Sequence, residues 1–218
     1  MIKNISPLEK MLLVSILFNM LLLLVRFYFT HELAYGFYVW NTFLAMLPLL
    51  FSRSLLKLSK FNLKAVILVA FWLAFFPNAP YMITDVFHYV EKPPVPMWYD
   101  LLLVITAAWN GLLLGIISLM QIERFLSRHL KAIWVKITVM ISFALCGYGI
   151  YIGRYLRFNS WDAVVSPNKL VYTLATHVFK PQEHIMLWAF TLLFGTMFGI
   201  IYFTLKQLSN EQSAKTSY

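Results

Sequence analysis

Six long apolar runs follow one another along the chain, and short polar segments separate them. A helix needs about 20 mostly apolar residues to cross a bilayer, because each residue adds only about 1.5 Å. The pattern therefore predicts an all-α polytopic transmembrane bundle that forms a single domain over residues 1–218. The predicted spans are approximately residues 11–29, 33–51, 65–84, 99–120, 135–153 and 185–205.

The first apolar run follows two lysines and in this respect resembles a signal peptide. Residues 26–31 come after it and lack the small side chains that a signal peptidase requires. We therefore interpret the run as an uncleaved first span. Arg26 lies near its end, where we expect the long side chain to extend outward to the interface.

Composition supports a membrane environment. The chain is 61% hydrophobic and 12% charged, whereas soluble domains carry about 25% charged residues. With one cysteine, Cys146, an intramolecular disulfide and a thiolate metal cluster are both excluded. The net charge of +9 does not indicate a nucleic-acid partner, because the basic residues interrupt apolar runs rather than forming a basic face. The predicted surroundings are the lipid bilayer.

The basic residues also predict an orientation. If the N-terminus is inside, 12 of the 18 Lys and Arg residues fall in inner segments, whereas six of the nine acidic residues fall in outer ones. Inner loops of membrane proteins are enriched in Lys and Arg. We therefore expect both termini to be cytoplasmic.

Polar residues and prolines interrupt the end of the third run, in residues 75–88 (FFPNAPYMITDVFH). Backbone breaks and ionisable groups are costly in hydrocarbon, so they usually line a cavity or a site. We expect Pro77 to end one half-helix, Asn78 to cap a second, and Pro80 to lie in its first turn, so that the span is broken at Pro77–Pro80. On an α-helix one face would then carry Asn78, Tyr81, Asp85 and His88.

The fifth run ends in residues 148–162 (YGIYIGRYLRFNSWD). Gly149 and Gly153 form a small-xxx-small pair, which permits close helix approach. Counting about 1.5 Å per residue places Arg154 at the same membrane depth as Asp85, so we predict that these acidic and basic clusters meet near the outer boundary. If the helix continues, one face carries Arg154, Arg157 and Trp161.

The segment before the sixth run predicts a helix that lies on the outer interface. Residues 169–180 repeat apolar side chains at helical spacing between polar ones. Pro181 suits the first position of the following helix, with Glu183 in its first turn. His177 and His184 could face the same outer cavity.

The two interrupted stretches resemble a family of bacterial integral membrane proteins known as domain of unknown function 1361. Its pattern has a Phe-Pro-Asn-x-Pro-Tyr core, then Thr-Asp, then Gly-Arg-x-x-Arg-x-Asn-Ser-Trp-Asp. The resemblance implies a multi-pass protein of the bacterial plasma (inner) membrane and implies no reaction. The matching residues are Pro77, Asn78, Pro80, Tyr81, Thr84, Asp85, Gly153, Arg154, Arg157, Asn159, Ser160, Trp161 and Asp162.

Three hypotheses follow for these clusters, and the first is structural. Asp85 and Asp162 would pair with Arg154 and Arg157 and so lock the third span to the fifth. Three asparagines within spans are expected to form interhelical hydrogen bonds, and two further glycines to allow close packing. These residues are Asn19, Asn41, Asn110, Gly111 and Gly115.

The second hypothesis is an outward-facing pocket that binds or transports an anionic or amphipathic cell-envelope component, such as an anionic lipid or an envelope precursor. Arg154 and Arg157 would bind its anionic group, and aromatic rings would flank its chain. Transport gains support from the broken span, since discontinuous helices often form substrate sites. The other binding candidates are Asn78, Tyr81, Asn159, Trp161 and Asp162.

The third hypothesis is a membrane-embedded hydrolase or transferase that acts on a lipid at the outer leaflet. Asp85 and His88 would be the catalytic pair, as base and orienting group. Alternatively they would bind a divalent metal together with His177 and His184, although the spacing matches no standard zinc signature and no cofactor is evident. The sequence leaves enzyme, transporter and binding protein as open alternatives.

Overall fold

The chain folds as a helical bundle in a computed structural model that describes residues 6–90, 93–158, 165 and 167–215. Within these ranges the regular elements are all helical. The α-helices are α1 (Pro7–Thr30), α2 (Phe37–Leu56), α3 (Leu63–Phe75), α4 (Asn78–Tyr81), α5 (Met97–Ser127), α6 (Ala132–Arg154), α7 (Pro167–Phe179) and α8 (Ile185–Lys215). Two 3₁₀ segments, Met82–His88 and Pro181–His184, follow α4 and precede α8.

Six helical segments are long and apolar enough to cross a membrane, which confirms the predicted number of spans. The third span joins α3, α4 and the first 3₁₀ segment, and the sixth joins the second 3₁₀ segment to α8. The helix predicted before the sixth span is also confirmed, as α7. An even number of spans places the start of α1 and the end of α8 at one end of the bundle, which we call the terminal end; the opposite end is the distal end.

Side-chain caps define the starts of two spans. Ser6 accepts a hydrogen bond from the Glu9 backbone N–H, and the Glu9 carboxylate accepts one from the Ser6 N–H, so α1 begins with a reciprocal capping box. Asn62 accepts from the Ala65 N–H at the start of α3. These bonds satisfy donors that no helical carbonyl can reach.

α5 is the central helix. Over its apolar stretch 56% of the residues are buried inside the bundle, against 28–39% in the other spans. Two asparagines tie it to α1: Asn19 Nδ2 donates to Leu103 O at 2.8 Å, and Asn110 Nδ2 donates to Ser15 O at 3.3 Å. The predicted role of both asparagines is confirmed.

Arg26 corrects the expectation that its side chain extends outward. It is 3% exposed and binds Asp100 of α5 with two hydrogen bonds, from Nε at 2.7 Å and from Nη2 at 3.2 Å. Its guanidinium also lies 5.1 Å from the centre of the Tyr35 ring. A carboxylate at the same depth gives Arg26 a bidentate partner inside the bundle, so the side chain is buried rather than extended to the interface.

Candidate functional site

The third span breaks where the sequence predicts it, but Asn78 plays a different part. α3 ends at Phe75, and Pro77 occupies the position before α4 with helical backbone angles (φ −60°, ψ −23°). Asn78 is therefore the first residue of α4 and not its N-cap, and its Nδ2 donates to Phe75 O at 3.0 Å. The amide thus satisfies one of the carbonyls left free at the end of α3.

The helix after the break is also tighter than predicted. After the single α-helical turn of α4, Met82–His88 is a 3₁₀ helix with about three residues per turn. The α-helical offsets behind the predicted shared face of Asn78, Tyr81, Asp85 and His88 therefore do not apply. Asp85 and His88 are still one turn apart in the backbone, and the His88 side chain lies outside the described part of the structure.

Glycines on two neighbouring helices hold this break. A methyl group added at Gly111 of α5 would lie 2.4 Å from Ala79 O, and one added at Gly149 of α6 would lie 2.6 Å from Pro77 Cβ. Such distances are shorter than any ordinary contact, so only glycine lets these helices approach the Ala79 carbonyl and the Pro77 ring this closely. The close packing predicted from both small-residue pairs is confirmed.

Asp85 and Arg154 meet at the end of the third span, as the length counts predict. Arg154 Nη2 donates to Asp85 Oδ1 at 2.5 Å, and Asn41 Nδ2 of α2 donates to Asp85 Oδ2 at 3.0 Å. Arg154 also donates to the Thr84 hydroxyl from Nε at 3.1 Å and from Nη2 at 2.9 Å. Its guanidinium lies 4.6 Å from the centre of the Tyr81 ring. The two charged side chains are 1% and 8% exposed, so the pair is buried.

α6 does not continue past this pair, which corrects the second shared-face prediction. The helix ends at Arg154, and Arg157 has left-handed backbone angles (φ 56°) and an exposed side chain. Arg154 and Arg157 therefore do not lie on one helical face. Asn159, Trp161 and Asp162 lie outside the described residues, so their predicted contacts stay predictions.

A cavity of about 300 Å³ lies beside the break. Among the described residues that line it, none is charged. Two amides and a phenol supply polar groups, and the remaining walls are aromatic, aliphatic or glycine. The lining residues are Trp40, Asn41, Leu44, Ala74, Phe75, Pro77, Asn78, Tyr81, Gly149, Ile152, Gly153, Phe158 and Leu170.

His177 and His184 lie together near the start of the sixth span. Their ring centres are 4.5 Å apart, and a 2.9 Å hydrogen bond joins His177 Nδ1 to the Tyr148 hydroxyl of α6. Burial lowers the pKa of His177, and His184 lowers it further. In the ranges that the structure describes, no three His, Cys, Asp or Glu side chains are grouped as a metal site requires. The metal hypothesis stays a prediction, and two of its four residues are brought together.

Sequence reasoning missed several participants in this site. Asn41 forms the interhelical hydrogen bond that we expect of it, as the second donor to Asp85, but the sequence does not predict that it also lines the cavity. Trp40, Leu44 and Ala74 line the cavity, but an apolar residue within a span carries no sequence signal of its own. The sequence feature that could have indicated a cavity wall in the second span is the amide of Asn41.

The six apolar spans and the broken third helix define a multi-pass α-helical membrane protein. Residues 40–201, which include the break and the end of α6, match the family described as Protein of unknown function (DUF1361). The chain belongs to that family. A search of curated proteins and a search of solved structures each found no significant match.

Proposed function

We propose that the cavity beside the break binds an amphipathic, lipid-like molecule of the cell envelope. The observation that supports this most is the composition of the walls: Asn41, Asn78 and Tyr81 offer hydrogen-bonding groups, while Trp40 and Phe75 offer apolar surface. Ligand sites typically combine a mostly apolar lining with a few placed polar groups. At about 300 Å³ the cavity holds part of such a ligand, and the rest of its chain lies in the bilayer.

The site favours an uncharged hydrogen-bonding group over an anionic one. Arg154, the cation expected to bind an anion, is already paired with Asp85. An anion would have to displace a buried carboxylate, and leaving a buried charge without its partner costs about 3–5 kcal/mol. An ester, amide or hydroxyl that bonds to the Asn78 amide or the Tyr81 phenol does not incur that cost.

The hydrolase or transferase alternative ranks lower. Both carboxylate oxygens of Asp85, its proposed base, already accept hydrogen bonds from cationic or amide donors. A general base needs an oxygen that can reach the proton it removes. Binding, with or without transport, does not require Asp85 to accept a proton.

We further propose that both termini are cytoplasmic, in the bacterial plasma membrane, so that the cavity belongs to the outer half of the bilayer. The excess of Lys and Arg in the segments at the terminal end supports this orientation. Alkaline phosphatase fused after residue 95 should be active, whereas the same enzyme fused at the C-terminus should be inactive. The reverse pattern would overturn the orientation.

The binding proposal is tested by filling the cavity. Ala74 lines it and is exposed, so Ala74→Phe places a ring there. Ala70 is also exposed, lies one turn earlier on α3 and does not line the cavity, so Ala70→Phe is the matched control. Each protein is reconstituted with a diazirine-bearing phosphatidylglycerol or diacylglycerol, and labelled peptides are mapped by mass spectrometry.

We expect both probes to label cavity peptides in the wild type and in Ala70→Phe, and labelling to fall at least tenfold in Ala74→Phe. Labelling by the anionic probe alone would contradict the preference for an uncharged group. Equal labelling of all three proteins would overturn the binding site itself.

A further inference from the structure

α7 meets the cavity through one of its described residues, and half of those residues are exposed. Leu170 lines the cavity. Tyr172 is 73% exposed and Phe179 is 82% exposed. An amphipathic helix of this kind lies at a membrane interface rather than inside a bundle. α7 is therefore a surface element that meets the cavity near its first turns.

A single buried residue anchors the other end of α7. Among the side chains of α7 that the structure describes, His177 alone is buried, at 3% exposure. It bonds to the Tyr148 hydroxyl and packs its ring edge-to-face on that of His184. Tyr148 in turn stacks on Trp188 of α8. His177 thus fastens α7 to α6 and to the second 3₁₀ segment.

The chain just beyond this anchor is suited to bending. Lys180 leaves helical geometry (φ −129°, ψ 58°), and Pro181 follows it without an N–H. The ion pair that crosses this point, Lys180 with Glu183, is 58% exposed on both sides, and exposed pairs contribute little. The His177–Tyr148 bond is therefore a buried polar attachment of α7 to α6 on the near side of this bend.

We infer that α7 is a lid on the cavity, hinged at Lys180–Pro181 and latched by the bond between Tyr148 and His177. Release of the latch lets Leu170 move away from the cavity and opens a path for the ligand. This inference rests on the proposed binding function, because a lid has no purpose on a site that binds nothing.

The lid is tested by measuring its position without ligand. In the full-length protein with Cys146→Ala, spin labels are placed at two exposed distal-end positions, Tyr28→Cys on α1 and Tyr172→Cys on α7. Their distance distribution is measured by pulsed electron paramagnetic resonance in lipid nanodiscs. Tyr148→Phe keeps the ring and removes the latch hydroxyl. Tyr151→Phe removes a hydroxyl from the same helix that forms no hydrogen bond within the described part of the chain, and it serves as the control.

Losing one hydrogen bond shifts an equilibrium by about threefold to tenfold. We expect the fraction of molecules at a second spin-label distance to rise by that factor in the Tyr148→Phe protein. The distance distribution of the Tyr151→Phe protein should match that of the unsubstituted protein. His177→Phe removes the same bond from the other side and should reproduce the second population, so the test does not depend on one variant folding. Identical distributions in all four proteins would overturn the lid.

Photolabelling of the same preparations separates this inference from the function it rests on. Labelled cavity peptides with unchanged distances would overturn the lid and keep the binding site. Altered distances without labelled cavity peptides would overturn the binding function.

Discussion

Arg154 Nη2 lies 2.5 Å from Asp85 Oδ1, and this contact joins the last residue of α6 to the end of the third span. The pair is separated by 69 residues in sequence. The two charges compensate each other in a place where neither could be accommodated alone. The ion pair and the glycine contacts act together, because they fix the same broken segment from its end and from its side.

Removing one partner of this pair should destabilise the protein strongly. Asp85→Ala leaves a buried guanidinium without its carboxylate, so we expect the free energy of unfolding to fall by about 3–5 kcal/mol. The measurement is denaturant unfolding in mild detergent. Asp85→Ala combined with Arg154→Ala should be less destabilised than the sum of the single variants, with a coupling above about 1 kcal/mol. Additive effects would show that the contact does not form.

The glycines of α5 provide a matched comparison. A methyl group at Gly111 meets the Ala79 carbonyl at 2.4 Å, whereas one at Gly115 meets the edge of the Pro80 ring at 3.3 Å. Gly111→Ala should therefore destabilise by about 1–3 kcal/mol through overpacking. Gly115→Ala should change stability by less than about 1 kcal/mol, because alanine's better helix propensity offsets the tighter contact. Equal thermal unfolding midpoints for the two variants would contradict this packing.

The Arg26–Asp100 pair should matter far more than a surface pair. Both side chains are almost fully buried (2% and 1% exposed). Asp100→Ala removes the partner of a buried arginine and should cost about 3–5 kcal/mol. Glu183→Gln breaks the exposed Lys180–Glu183 pair and should change stability by no more than about 0.5 kcal/mol. If Asp100→Ala lowers the free energy of unfolding as little as Glu183→Gln does, Arg26 is not buried against Asp100 and its side chain extends outward to the interface.

His177 should make stability depend on pH. Because burial holds its pKa below the ordinary value of about 6.5, the unfolded chain takes up a proton that the folded protein resists. The contribution of this histidine is therefore complete above about pH 6.5 and is lost as the pH falls below it. The unfolding midpoint should drop between about pH 7.5 and 5, and His177→Gln should reduce that drop. An undiminished drop in the His177→Gln protein would contradict the assignment.

The span count and the meeting of Asp85 with Arg154 could be predicted because both depend on length alone. A run of apolar residues has a fixed rise, so counting residues places two distant groups at one depth. The close packing at the small-residue pairs could also be predicted, because glycines at four-residue spacing lie on one helix face and permit close approach in membranes.

The partner of Arg26 and the shape of the break could not be predicted in the same way. A buried arginine and an extended one have the same sequence signature, and Asp100 shows its role only when α1 and α5 are in contact. Likewise, two prolines indicate an interruption, but the choice between α-helix and 3₁₀ helix for Met82–His88 depends on how the segment packs against α5 and α6. Apolar residues that line the cavity cannot be distinguished in the sequence from apolar residues that face lipid or the core.

Binding of a lipid-like molecule in the cavity can be observed in a cryo-electron microscopy map of the protein in lipid nanodiscs. We expect elongated density in the cavity, bounded by Trp40 and Phe75, with a polar end within hydrogen-bonding distance of Asn78 or Tyr81. An empty cavity in the wild type, or lipid density confined to the outer surface of the bundle, would contradict it.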